Sequence, residues 1–164
     1  DSKRHLVLDS AGKKWLTLAP PAYARNSAAG AAIDGNLFVV GGRGVKSGNM
    51  AQLEVYDTKE DRWREASPMP QAQGGLAAAA LDGHLIALGG EYFGSNGYGV
   101  YSEVWRYEPQ VDYWSMLSPM PTPRHGLGVV SDGLALYAIG GATEVAAQGT
   151  SASIERFIIK QKSE

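Results

Sequence analysis

The stretch Leu81-Asp82-Gly83-His84-Leu85-Ile86-Ala87-Leu88-Gly89-Gly90 decides the fold. It reads as an Asp-Gly turn, a short apolar strand and a double glycine. The same pattern occurs as Ile33-Asp34-Gly35-Asn36-Leu37-Phe38-Val39-Val40-Gly41-Gly42. It occurs again as Ser131-Asp132-Gly133-Leu134-Ala135-Leu136-Tyr137-Ala138-Ile139-Gly140-Gly141. The pairs end at 42, 90 and 141, so they are spaced by 48 and then 51 residues. Trp15, Trp63 and Trp114 show the same two spacings. Two independent markers that share one period establish an internal repeat.

One repeat reads as four short strands. In the first complete copy they cover 28–33 (A), 37–40 (B), 53–56 (C) and 63–65 (D). Asp34-Gly35-Asn36 makes a tight A–B turn. Tyr56 and Tyr107 each lie seven residues before a tryptophan, with Asp57 and Glu108 opening the turn between. Leu8 takes the tyrosine position ahead of Trp15, and Phe157 takes it in the last copy. Ser67-Pro68-Met69-Pro70 and Ser118-Pro119-Met120-Pro121 are loop signals after two of the tryptophans. The B–C links (43–52, 91–102 and 142–152) are long and glycine-rich. Strand B is apolar on both faces, as in a sheet covered on both sides. No segment keeps a helical period over the 11 or so residues that a helix needs.

Composition narrows the function. The chain has 164 residues and a net charge of -2 without a run of Lys or Arg, which argues against nucleic acid or an anionic membrane surface as partner. It has no cysteine, which removes disulfides, thiolate metal sites and a cysteine nucleophile but chooses no compartment. No apolar run approaches the roughly 20 residues of a membrane span. The chain starts at Asp1 with no signal-like segment, as a processed chain or an excised segment would. Walker-type glycine loops, Gly-x-Ser-x-Gly elbows and His-x-x-x-His zinc patterns are absent, so no cofactor is expected. His5, His84 and His125 are far apart in the repeat register and suggest no metal cluster.

Double glycine, tyrosine and a tryptophan seven residues on, at a period near 50, resemble the kelch repeat. The resemblance implies an all-β β-propeller with one four-stranded antiparallel blade per repeat. It makes Gly41, Gly42, Gly89, Gly90, Gly140 and Gly141 sites of close backbone approach, and Trp15, Tyr56, Trp63, Tyr107 and Trp114 packing residues. Residues 3–19 would be strands C and D of a first blade. Residues 22–66 and 71–117 would be whole blades, and 122–160 three strands of a last one. Propellers close with four to eight blades. Three blades leave open edges. Either further sequence or a second copy, making a six-bladed ring, would complete them.

By the same resemblance, the residue after each double glycine and the loop leading into strand A face the ligand side. The first set is Arg43, Glu91 and Ala142. The second lies sixteen residues before each pair: Arg25, Gln73 and Arg124, followed by Asn26, Gly74 and His125. Arg43 offers a fork to a carboxylate, or pairs with Glu91 as a structural contact. Arg25 and Arg124 suit a repeated salt bridge as well as a ligand. His125 changes charge near neutral pH, as a ligand donor or a rim residue. The loop 91–101, with Tyr92 and Tyr98, has the aromatic and glycine content of a recognition surface. These residues imply a non-catalytic domain that binds a protein or a polar or carbohydrate ligand. The alternative is a carbohydrate-active enzyme. Sialic-acid mutarotases are kelch propellers with a Gly-Gly-Glu step, which would make Glu91 the acid/base. The arginine that follows in those enzymes is missing, and Arg106 lies too far along. Galactose-oxidase-type copper chemistry needs a cysteine that this chain lacks.

Overall fold

A computed structural model describes residues 3–95, 97–146 and 148–158, and every regular element in them is a β-strand. Strands β1 (His5–Leu8) and β2 (Trp15–Leu18) pair as a hairpin. Next come β3 (Ala29–Ile33) and β4 (Asn36–Val40), the short pair β5 (Arg43–Gly44) and β6 (Gly48–Asn49), then β7 (Leu53–Asp57) and β8 (Arg62–Ala66). The following unit repeats this plan with β9 (Ala77–Leu81), β10 (His84–Leu88), β11 (Glu91–Gly94), β12 (Gly97–Val100), β13 (Val104–Glu108) and β14 (Tyr113–Met116). The last unit holds β15 (Gly128–Ser131), β16 (Leu136–Ile139) and β17 (Ile154–Phe157). The two middle units are antiparallel four-stranded sheets in the orders β3-β4-β7-β8 and β9-β10-β13-β14. The fold is therefore all-β and built from consecutive four-stranded sheets, as the repeat implied.

Local chemistry explains the turns. Asp34-Gly35 and Asp82-Gly83 both hold positive φ at two successive positions, which a two-residue hairpin matching strand twist requires. Aspartate tolerates that region better than other side chains do. The B–C links are not plain loops. Each of the first two carries its own hairpin, β5–β6 and β11–β12. Sequence periodicity missed these because two to four glycine-rich residues are too few to show alternation.

Strand β10 explains the unbroken apolar run. Leu85 and Ala87 face Phe38, Val40, Val55 and Leu76, while Ile86 and Leu88 face Leu127, Leu136 and Ala138. Both faces of the sheet are core, so no polar alternation is allowed.

Two devices hold neighbouring sheets together. The first is the double glycine. Gly90 donates its N–H to the Arg124 carbonyl of the following sheet at 3.0 Å, as Gly42 does to the Gln73 carbonyl at 2.9 Å. A Cβ on Gly89 would lie 2.4 Å from the Arg124 oxygen, so backbone passes where a side chain would sit. At Gly140, in the last unit, the nearest atom to such a Cβ is the Ser151 oxygen at 3.6 Å.

The second device is a clamp on the end of the preceding strand D. Trp63 donates from Nε1 to the Ala19 carbonyl at 2.8 Å, and Asp61 accepts the Ala19 N–H at 2.9 Å. Trp114 and Asp112 hold Ser67 in the same way, at 2.7 and 2.8 Å. Tyr56 and Tyr107 lie across the ladder from those tryptophans with ring centroids 5.0 Å apart, and donate their hydroxyls to Asp61 and Asp112. The Ala19 N–H and the Tyr56 hydroxyl hold the Asp61 carboxyl below its usual range. Burial, and then the bond to Asp61, push Tyr56 up to about 12.

Gly89→Ala should destabilise the fold by about 2 kcal/mol or more, through positive φ and collision with the next sheet. Gly133→Ala, which meets no atom within 4 Å, should cost about 1 kcal/mol from φ alone. Urea unfolding measures both. A carboxyl with a depressed folded pKa contributes stability above its unfolded pKa and loses it as pH falls through the folded value. The wild type should thus lose stability below about pH 4. Asp61→Asn should start less stable at neutral pH and show a shallower acid loss in a pH series of thermal melts.

Candidate functional site

Arg43, Glu91 and Ala142 each form a two-residue bridge to the loop before strand A of their own sheet, to Asn26, Gly74 and His125 respectively. The register counted from the double glycines thus puts these positions together in all three units.

Their side chains then connect the units. Arg43 donates from Nη2 to Glu91 Oε1 at 2.7 Å and from Nε to Asn49 Oδ1 at 3.0 Å. Asn49 in turn donates to the Glu91 carbonyl at 2.7 Å. The arginine runs over Gly74, where a Cβ would stand 2.5 Å from its Cγ. Glu91 Oε2 accepts the Ala146 N–H at 2.8 Å and lies 3.4 Å from His125 Nε2. That ring nitrogen is also 2.9 Å from the Glu144 carbonyl. Arg43, Glu91 and His125 therefore form one relay across three consecutive sheets. Glu91 is buried with both oxygens engaged, and Arg43 keeps partial exposure over the Phe93 ring. Among the described residues no group of three acidic, His or Cys side chains could hold a metal ion.

Arg124 has a different place. It is fully buried, and its guanidinium meets Glu155, the Thr122 carbonyl, the Gly140 carbonyl and the Ala138 carbonyl at 2.8–3.0 Å. Arg25 repeats this with Glu54 and the Gly41 and Gln52 carbonyls. Both arginines tie the loop before strand A to strands B and C of the same sheet. In the middle sheet the equivalent residue is Gln73, and Trp105 replaces the glutamate. The Gln73 amide and the Trp105 indole N–H are buried without a partner. Sequence reasoning passed over this break, although the series Arg25, Gln73, Arg124 already showed it.

Asn26 is exposed and accepts a hydrogen bond from Ser27. Tyr92 is half-buried against Tyr101, with ring centroids 5.0 Å apart. Tyr98 is 74% exposed and stands opposite Phe93, itself 57% exposed, on the hairpin β11–β12. A cavity of about 400 Å³ separates this hairpin from the next B–C link, lined by Tyr98, Gly99, Thr143, Glu144, Val145 and Gln148.

The Kelch motif family model matches residues 24–70 and 74–121, the two segments that contain the four-stranded sheets. Kelch-like protein 35 of Mus musculus is 33% identical over 137 residues, which cover 83% of this chain and 22% of that protein. The chain thus spans about a fifth of that relative's length. With two matched repeats laid over two sheets joined by double glycines and tyrosine–tryptophan pairs, the chain belongs to the kelch-repeat family.

Proposed function

We propose that this chain is part of a non-catalytic recognition domain that binds a protein partner through its B–C links and the loops before strand A, on one face. The observation that carries this reading is the hairpin β11–β12. It holds two large aromatic rings, Phe93 and Tyr98, side by side in solvent beside a cavity with an acidic wall at Glu144. Rigid aromatic anchors on a supported hairpin supply contact area at low entropic cost. The arginine–glutamate–histidine relay supports the hairpin from below, since Glu91 is its first residue. The family itself adds that kelch repeats serve as interaction scaffolds, which is support by analogy. In this reading Glu91 orients the loops, since Arg43 and the Ala146 N–H hold its two oxygens.

In this reading further blades cover both ends of the stack. Trp15 is 66% exposed at one end and Ile154 67% at the other, whereas the counterparts Trp114, Leu53 and Val104 are buried by neighbouring units. Neighbouring blades, from a longer chain or from a second copy, would cover them. Sedimentation of the 164-residue chain separates the two sources: a dimer mass supports a ring shared by two copies, and a single-chain mass removes it.

A peptide and glycan array tests the recognition face. Phe93→Ser with Tyr98→Ser should weaken captured ligands at least tenfold without lowering the melting temperature. Equal binding by the double variant would sink the proposed face. Arg43→Ala should instead cost about 2 kcal/mol of stability, because it leaves the Glu91 carboxylate buried without its cation.

A further inference from the structure

The middle sheet lacks the internal cation that its neighbours contain. Arg25 and Arg124 place guanidinium groups on the carbonyls of Gly41 and Gly140, while Gln73 stands at the equivalent position below Gly89. The residues around those arginines have counterparts. Gln52, whose carbonyl accepts from Arg25, corresponds to Glu103, as their equal bonds to the first glycine show: Gly41 N–H to Gln52 and Gly89 N–H to Glu103. Tyr23, whose ring lies 5.5 Å from the Arg25 guanidinium, and Thr122, whose carbonyl accepts from Arg124, both correspond to Gln71.

Glu103 and Gln71 line one cavity. Its volume is about 350 Å³, and Tyr92, Val100, Tyr101 and Ser102 complete the wall. Glu103 is half-buried beside it, and its Oε2 is enclosed without a hydrogen-bond partner. In the first sheet Gln52 Oε1 is also unpaired, but that group is neutral. A carboxylate in the same position costs far more to leave unpaired, and buried charges are ordinarily matched by a cation. The Tyr92 and Tyr101 rings, tilted against each other, add aromatic groups that suit a flat cation.

We propose that this cavity receives a guanidinium group, the side chain of an arginine on a protein partner. The partner's arginine would bring a cation to the one complete sheet that lacks an internal one, through the neighbouring cavity rather than at the enclosed place of Gln73. Planar shape and weak hydration favour guanidinium over ammonium beside aromatic walls. This proposal rests on the protein-recognition reading above.

The test uses N-acetyl-arginine amide as probe, with the neutral isostere N-acetyl-citrulline amide as control, against the 164-residue chain. NMR signals of Tyr101 and Val100 report the cavity. Saturable shifts with a millimolar dissociation constant are expected for arginine alone. Glu103→Gln should weaken binding at least tenfold. Gln73→Arg, which supplies the cation internally, should do the same while raising the melting temperature. No saturable shift up to about 20 mM, equal binding of citrulline, or unchanged binding by both variants would overturn the proposal. An array ligand lost in the Phe93/Tyr98 double variant but kept by Glu103→Gln would overturn this cavity and leave the recognition face standing. Arginine binding at the cavity with no array ligand dependent on Phe93 and Tyr98 would do the reverse.

Discussion

The first two boundaries between units in this protein are held through the backbone end of a strand. The Ala19 and Ser67 peptide groups are gripped on both sides, the N–H by an aspartate and the carbonyl by a tryptophan indole of the following unit. This constraint sets much else. The aspartate must sit in a tight turn at positive φ to reach back, as Asp61 and Asp112 do. The tyrosine must lie across from the tryptophan to donate to that aspartate. The strand between must be short enough to keep the three groups together. Apolar burial supplies most of the driving force, but it has no direction. The clamp and the double glycines supply direction, because hydrogen bonds to defined backbone atoms admit one stacking offset.

The same stacking creates the candidate recognition face. A residue after a double glycine is carried to the boundary with the next unit, since the second glycine's N–H is bonded to that unit's loop. Arg43 can therefore reach Glu91 one repeat away, and Glu91 can reach Ala146 one repeat further. The polar relay is a consequence of the repeat geometry. It leaves the hairpin β11–β12 firmly based, with the Tyr98 ring exposed and the Phe93 ring exposed beside Arg43.

Much of the fold was legible in the residues. Asp82-Gly83 announced a two-residue hairpin, and Gly89-Gly90 announced close backbone approach. Tyr107 and Trp114 announced an aromatic pair seven residues apart. The site was legible in part. Counting from the glycines, with the family resemblance, put Arg43, Ala142, Asn26 and His125 on one side, and the structure added that they pair as Arg43 with Asn26 and Ala142 with His125. It did not show that Arg124 is enclosed by carbonyls, or that Phe93 stands exposed beside Tyr98. Burial depends on which chain segments lie above a residue, and segments distant in sequence supply them.

The amino-acid sequence by itself determined the period, the strand type and the register of each unit, because turns, alternation and glycine steric freedom act within a few residues. Tertiary structure alone decided which charges are spent internally and which cavities remain. Gln73 and Glu103 illustrate the division. Their identities are plain in the chain, but that the Gln73 amide and one Glu103 oxygen are enclosed without partners is visible only in the folded protein. The difference is physical: covalent neighbours set local conformation, whereas the pairing of a buried polar group is settled by everything packed around it.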